Sequence, residues 1–135
     1  MDFGPMPRTS PAERPLSPHL QIYKPSITMV MSILHRITGA ALFFGTFLVI
    51  LLLVALASGK EAYGVALAVY GSWFGKLVLF GFTWALFHHM MGGLRHLIWD
   101  TGAMLERDTR MKLGWASLVG SAALTVITWF FFFLG

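Results

Sequence analysis

The sequence predicts an all-α integral membrane protein with three transmembrane helices and a cytoplasmic N-terminus. Three observations predict it. Hydrophobic residues make up 56% of the chain and charged residues 12%, about half the charged share of an ordinary soluble domain. Too few charges are present to cover so much apolar surface in water. Three separate stretches each reach the roughly 20 apolar residues that a helix needs to cross a hydrocarbon core. The Lys and Arg residues, finally, sit in alternate connections instead of in one patch.

The N-terminal arm, residues 1–25, carries Pro5, Pro7, Pro11, Pro15 and Pro18, which exclude one continuous helix. It has no apolar core of the signal-peptide kind. With Asp2 and Glu13 it also lacks the Arg-rich, acid-poor pattern of a transit peptide. The expectation is an uncleaved cytoplasmic arm on a protein of the bacterial inner membrane.

The first span covers residues 26–58 and is interrupted only by His35 and Arg36. From Ile37 to Gly59 it is uncharged and long enough to cross alone, so the turns before Ile37 project towards the cytoplasm. Residues 59–75 are also apolar, but Gly64, Gly71 and Gly75 punctuate them. They read as an outer interfacial segment. The second span, 76–99, holds His88, His89, Arg95 and His96 in its second half. A cytoplasmic loop, 100–112, leads to the third span, 113–135, which is uncharged. Gly114, Gly120 and a Ser/Ala-rich face there suit close helix approach.

Direction follows from the basic residues. Arg8, Arg14 and Lys24 precede the first span, and Arg107, Arg110 and Lys112 precede the third. Lys60 stands in the first loop with Lys76 at its edge, and the C-terminus has none. The arm and second loop are therefore inside. A net charge of +4 spread in this way is no nucleic-acid footprint. The absence of cysteine excludes disulfides, thiolate ligands and a cysteine nucleophile. Three spans without internal repeats or broken helices speak against a transporter using buried His and Arg as a proton path.

Ionisable residues inside a span are costly and face a partner, cavity or cofactor. In the first span Ser32, His35, Arg36 and Gly39 recur at helical spacing and share one stripe. Their hydroxyl, imidazole and guanidinium suit a quinone carbonyl or a haem propionate. They equally suit a snorkelling Arg36 and a His35 that bonds a neighbouring helix. In the second span His89, Gly93 and His96 form one face, and His88, Gly92 and Arg95 the adjacent one. A haem needs an imidazole, a flat space and cations for its propionates. His89 offers the ligand and Gly93 the space, while Arg95, His96, His35 and Arg36 offer the cations. At 1.5 Å per residue His89 lies roughly 20 Å from Lys76 and about 16 Å from Asp100, near mid-membrane. Antiparallel helices bring His35 and Arg36 back to the level of Arg95 and His96. No second ligand stands at His89's depth, so any other would come from another chain. A haem-free anchor, its His and Arg residues only joining helices, is the rival reading.

At these residues the chain resembles the cytochrome b-type membrane anchor subunit of succinate dehydrogenase, respiratory complex II. The matching pieces are Arg14-Pro-Leu-Ser-Pro-His-Leu-Gln-Ile-Tyr23, Ser32-Ile-Leu-His-Arg-Ile-Thr-Gly39 and His89-Met-Met-Gly-Gly-Leu-Arg-His-Leu-Ile-Trp-Asp100. The resemblance implies a four-subunit complex in which a flavoprotein oxidises succinate and an iron–sulfur protein passes electrons to the membrane. This chain and a second small anchor would bind haem b and, with the iron–sulfur protein, ubiquinone. His89 matches the haem ligand, the other axial ligand coming from a partner subunit. Ser32 and Arg36 match the quinone-lining positions; His35, Arg36 and His96 fall near the haem propionates. The doubled His88-His89 departs from the commoner aromatic before the ligand. The chain itself would do no succinate chemistry, having no flavin motif and no cysteine cluster. A related quinol:fumarate reductase would use the same kind of anchor.

Overall fold

The computed structural model describes residues 23–134. Most of the arm 1–25, with His19 and all but the last residue of its Arg14–Tyr23 motif, lies outside the described residues. The described chain forms four helices and no strand: α1 (Ile27–Ala57), α2 (Lys60–Gly71), α3 (Trp73–Asp100) and α4 (Arg107–Leu134). At 1.5 Å per residue the 31 residues of α1 and the 28 of α3 and of α4 reach roughly 46 and 42 Å. Each exceeds the roughly 30 Å of a hydrocarbon core, and all three are apolar enough to cross one.

Local sequence sets the ends. Ser26 is extended (ψ 157°) and its hydroxyl accepts from the Met29 amide, opening α1 as an N-cap does. After α1 the chain reverses at Gly59, whose φ of 104° is open to glycine without steric cost. Segment 59–75, expected to be punctuated by its glycines, instead forms the helix α2, with Gly64 inside it. One helical glycine costs only about 1 kcal/mol. Ser72 then serves two helices, donating its hydroxyl to the Val69 carbonyl at 2.6 Å and accepting from the Gly75 amide at 3.0 Å. A Cβ on Gly75 would overlap the Val69 and Tyr70 carbonyls, so this corner needs a residue with no side chain.

α3 begins three residues before the expected 76 and ends at Asp100, with Gly102 at φ 78° turning the chain. α4 starts at Arg107, six residues ahead of the expected 113. The stretch Arg107–Lys112 is charged but helix-competent, and Asp108 lies in the first turn, where the helix dipole favours an acid.

α1, α3 and α4 pack pairwise, with α2 lying against the Ala57 end of α1 and the Trp73 end of α3. The core is polar. Among the described residues the buried hydrophobic side chains are Met31 and Ala85, whereas Thr38, His88, Arg95, Ser117, Ser121 and Thr125 are all buried. Phe43, Phe44, Phe47 and Phe130 to Phe133 face outward. That distribution suits lipid, in which packing and hydrogen bonds join helices. On α4 the stripe that faces the bundle is Gly114, Ser117, Ser121 and Thr125, while Ala116, Ala122 and Ala123 point away. The close-approach face is thus Gly/Ser/Thr and not the expected Ser/Ala. Each hydroxyl bonds a carbonyl of its own preceding turn, so small polar residues sit in the seam without an unmet donor.

Candidate functional site

The site is built where the Ile27 half of α1 crosses the Asp100 half of α3. His35 of α1 lies flat on His89 of α3, with ring centroids 4.0 Å apart and planes 5° from parallel. The His96 ring is 5.5 Å from His35 and 5.3 Å from Trp99. His35 is therefore brought to two imidazoles of α3, the nearer in sequence 54 residues away. Two glycines make the approach possible. A Cβ on Gly92 would overlap the His35 ring, and one on Gly39 would stand 3.0 Å from Cε1 of His89.

His89 Nδ1 lies 3.1 Å from the main-chain oxygen of His35. A carbonyl oxygen only accepts, so Nδ1 carries a proton, and in the neutral ring Nε2 keeps its lone pair. Of the three ring atoms near Gly39, Nε2 is the farthest from it, at 4.0 Å from the position of a Cβ. Nε2 is thus the ring nitrogen not engaged by the α1 backbone. An imidazole anchored by Nδ1–H to a backbone carbonyl is the arrangement found behind metal-bound histidines. One turn on, Gly93 is half-buried, and a Cβ there would meet nothing within 4 Å. Among the described residues no group of three or more His, Cys, Asp or Glu gathers to hold a metal ion. What this site offers is a single oriented imidazole beside open space, which fits an iron already held by a macrocycle.

The expected stripe of Ser32, His35, Arg36 and Gly39 divides in the bundle. His35 and Gly39 face α3, whereas Ser32 and Arg36 are exposed. Ser32 opens into a shallow hollow with Thr28, Met29 and Ile33. The rotation has a simple cause: Met31 and Thr38, on the other side of His35, take the fully buried positions.

The adjacent stripe of α3 turns inward towards α4. His88 is 1% exposed, its Nδ1 is 3.2 Å from Ser121 Oγ, and its ring stacks on Trp84 at 5.2 Å. Ser121 already donates its proton to the Leu118 carbonyl, so His88 is the donor between them. His88 is an interhelical contact. Arg95, expected among the cations near a propionate, is 4% exposed and lies against Trp99, with its guanidinium carbon 5.3 Å from the ring centroid. Nδ1 of His35, Nε of Arg95 and Nε1 of Trp99 are buried without a partner among the described residues.

Sequence reasoning missed Trp84, Trp99 and Ser121. Trp84 and Trp99 stand one turn before His88 and after Arg95, a spacing that signals contact. Nothing in the sequence pairs Ser121 with His88, because their helices are joined only in three dimensions.

Comparison with known proteins places these residues in a family. Residues 10–128 match the family model described as succinate dehydrogenase/fumarate reductase transmembrane subunit. The chain is 43% identical over 121 residues to the succinate dehydrogenase cytochrome b556 subunit of Paracoccus denitrificans, covering 90% of this chain and 93% of that one. It is 39% identical over 117 residues to the protein of the same name from Rickettsia conorii, covering 87% and 91%. The succinate dehydrogenase cytochrome b560 subunit of Reclinomonas americana is 37% identical over 124 residues, covering 88% and 86%.

Proposed function

Since this chain belongs to the succinate dehydrogenase/fumarate reductase transmembrane subunit family, among its succinate dehydrogenase cytochrome b subunits, we propose that it binds haem b through His89 and forms part of a ubiquinone site with Ser32 and Arg36. It is a multi-pass membrane anchor. In this reading its partners are the flavoprotein subunit, the iron–sulfur subunit and a second small anchor. The whole lies in the bacterial inner membrane with the arm and the loop before α4 in the cytoplasm. Ubiquinone takes the electrons that succinate delivers through the iron–sulfur protein.

The hydrogen bond from His89 Nδ1 to the His35 carbonyl carries this reading. In the neutral ring it leaves Nε2 as the nitrogen that would hold an iron. Gly93 leaves one side of the site open, which would give a macrocycle room beside His89. Arg36 would offer a positive charge and His35 and His96 ring N–H donors to the haem propionates, and a partner subunit would supply the other ligand to the iron. When bound, the haem supplies a one-electron store whose potential its ligands and burial tune.

Ser32 and Arg36 act on the quinone. Both are on the exposed side of α1, where a substrate shared with the iron–sulfur protein reaches them. The hydroxyl and guanidinium donate to a quinone carbonyl oxygen, and these bonds strengthen as negative charge develops there. The proton each oxygen then needs comes from the cytoplasmic side. His35, one residue from Arg36, ties this region to His89.

The test is a reduced-minus-oxidised visible spectrum of the purified complex, wild type beside His89→Ala. A low-spin b-type band in the wild type, lost or altered in the variant, is the expected result. A wild-type complex without the band would refute the haem assignment and leave a haem-free anchor.

A further inference from the structure

The end of the bundle remote from His35 and His89 encloses a cavity of about 300 Å³ that the haem and quinone reading does not use. All four helices line it, with Leu48 from α1, Tyr70 from α2, Lys76, Leu79 and Phe82 from α3, and Trp129 from α4. Its volume is at the lower end of the roughly 300–1,000 Å³ usual for a small-molecule site. The wall is nearly all hydrocarbon. The Tyr70 hydroxyl is already spent on the Leu48 carbonyl, to which it donates at 2.6 Å. The Trp129 indole N–H points to Thr83 Oγ1, 3.3 Å away. Among the lining residues only Lys76 carries a charge. It is half-buried, with Nζ 5.8 Å from the centroid of the Phe133 ring. Among the described residues no carboxylate pairs with it.

The level of Lys76 in the membrane is marked independently. Trp73, one turn earlier on α3, is 79% exposed, and Phe74 beside it is 67% exposed. Tryptophan concentrates at the boundary between hydrocarbon and headgroups, the depth at which lipid phosphates lie. An apolar cavity that ends at one unpaired ammonium, at that depth, matches a molecule with a long aliphatic chain and an anionic head. The chain would gain by leaving lipid only through shape, so the charge carries the selectivity.

We propose that this cavity is a binding site for an anionic glycerophospholipid, one acyl chain lying between Leu48, Leu79 and Trp129 and the phosphate at Lys76. The site does not depend on the haem and quinone reading, because it shares no residue with it. A bound lipid here ties α2 to the three long helices beside the place where Phe82 closes on Gly45.

The probe is phosphatidylglycerol with a photoactivatable diazirine in its acyl chain, added to the purified complex in nanodiscs, with labelled peptides mapped by mass spectrometry. Phosphatidylcholine with the same chain is the control. Labelling of Leu48, Leu79 and Trp129 is expected to exceed that by phosphatidylcholine about fivefold, the factor that one lysine–anionic lipid contact supplies. Lys76→Gln should reduce it to the phosphatidylcholine level, and Leu79→Trp, which fills the cavity, should reduce labelling by both lipids. The proposal is overturned by label spread evenly over the outward faces, by unchanged labelling in Lys76→Gln, by a cavity that takes no label in the assembled complex, or by displacement of the probe with ubiquinone. The b-type absorbance, recorded on each variant, reports the haem site separately.

Discussion

His89 on α3 donates its Nδ1 proton to the main-chain oxygen of His35 on α1, 3.1 Å away, and the two rings lie stacked across the same gap. One contact therefore does two things. It holds two antiparallel helices together inside the bilayer, and it selects the tautomer of the imidazole proposed to bind iron. A backbone acceptor cannot be removed by substituting His35, so the tautomer of His89 outlasts changes in the His35 side chain. His35→Phe should keep a b-type band and shift its midpoint potential, because the orienting carbonyl remains while the polar neighbour is lost. Potentiometric titration of the reduced band checks this, and complete loss of the band in His35→Phe would contradict it.

Gly39 and Gly93 separate two kinds of space. A side chain at Gly39 would press on His89 itself, at 3.0 Å from Cε1, whereas one at Gly93 would meet nothing in this chain within 4 Å. Gly93→Leu should leave the helices and their packing unaltered while lowering haem content. Gly39→Val should disturb the ligand, and overpacking of this kind costs about 1–3 kcal/mol. Haem-to-protein ratio and far-UV circular dichroism, measured on both variants, distinguish the two. Full haem content in Gly93→Leu would show that the open space is not the haem's.

His88 and Ser121 join α3 to α4 at the depth of the proposed ligand. Ser121→Ala leaves the His88 N–H without its acceptor inside the bundle, and an unsatisfied buried donor costs about 1–3 kcal/mol. The expected outcome is a lower thermal midpoint of the complex with a normal haem spectrum at room temperature. His88→Gln, which can still donate to Ser121, should lose less. Equal stability of Ser121→Ala and wild type would mean that the seam does not depend on this bond.

Arg36 and Ser32 test the quinone side without touching the helix seam, since both are exposed. Loss of a hydrogen bond to a charged donor is worth about 1.5–3 kcal/mol, so Arg36→Ala should slow quinone reduction roughly 10- to 150-fold. Ser32→Ala, a neutral donor, should lose less. Succinate oxidation by an artificial acceptor that draws directly on the iron–sulfur protein should be unchanged in both. Equal losses with the artificial acceptor would point to failed assembly instead of a quinone contact.

Much of this protein was legible in one dimension because lipid imposes a simple rule. Each long helix must satisfy its backbone alone and present apolar side chains outward, so 20-residue apolar runs stand out whatever their neighbours do. The all-α class and the three long helices follow from that rule.

What the sequence could not determine is how each helix turns about its own axis. Ser32, His35, Arg36 and Gly39 share a stripe by spacing, yet His35 and Gly39 face α3 while Ser32 and Arg36 look outward. Met31 and Thr38 take the centre of the bundle, and Gly114 makes room for Met31 as Gly92 does for His35. For the same reason Arg95 packs against Trp99, and His88 found Ser121 thirty-three residues on. A stripe is a property of one helix, but burial is decided by the pair. The positions where a missing side chain lets two helices touch are set only when both are in place.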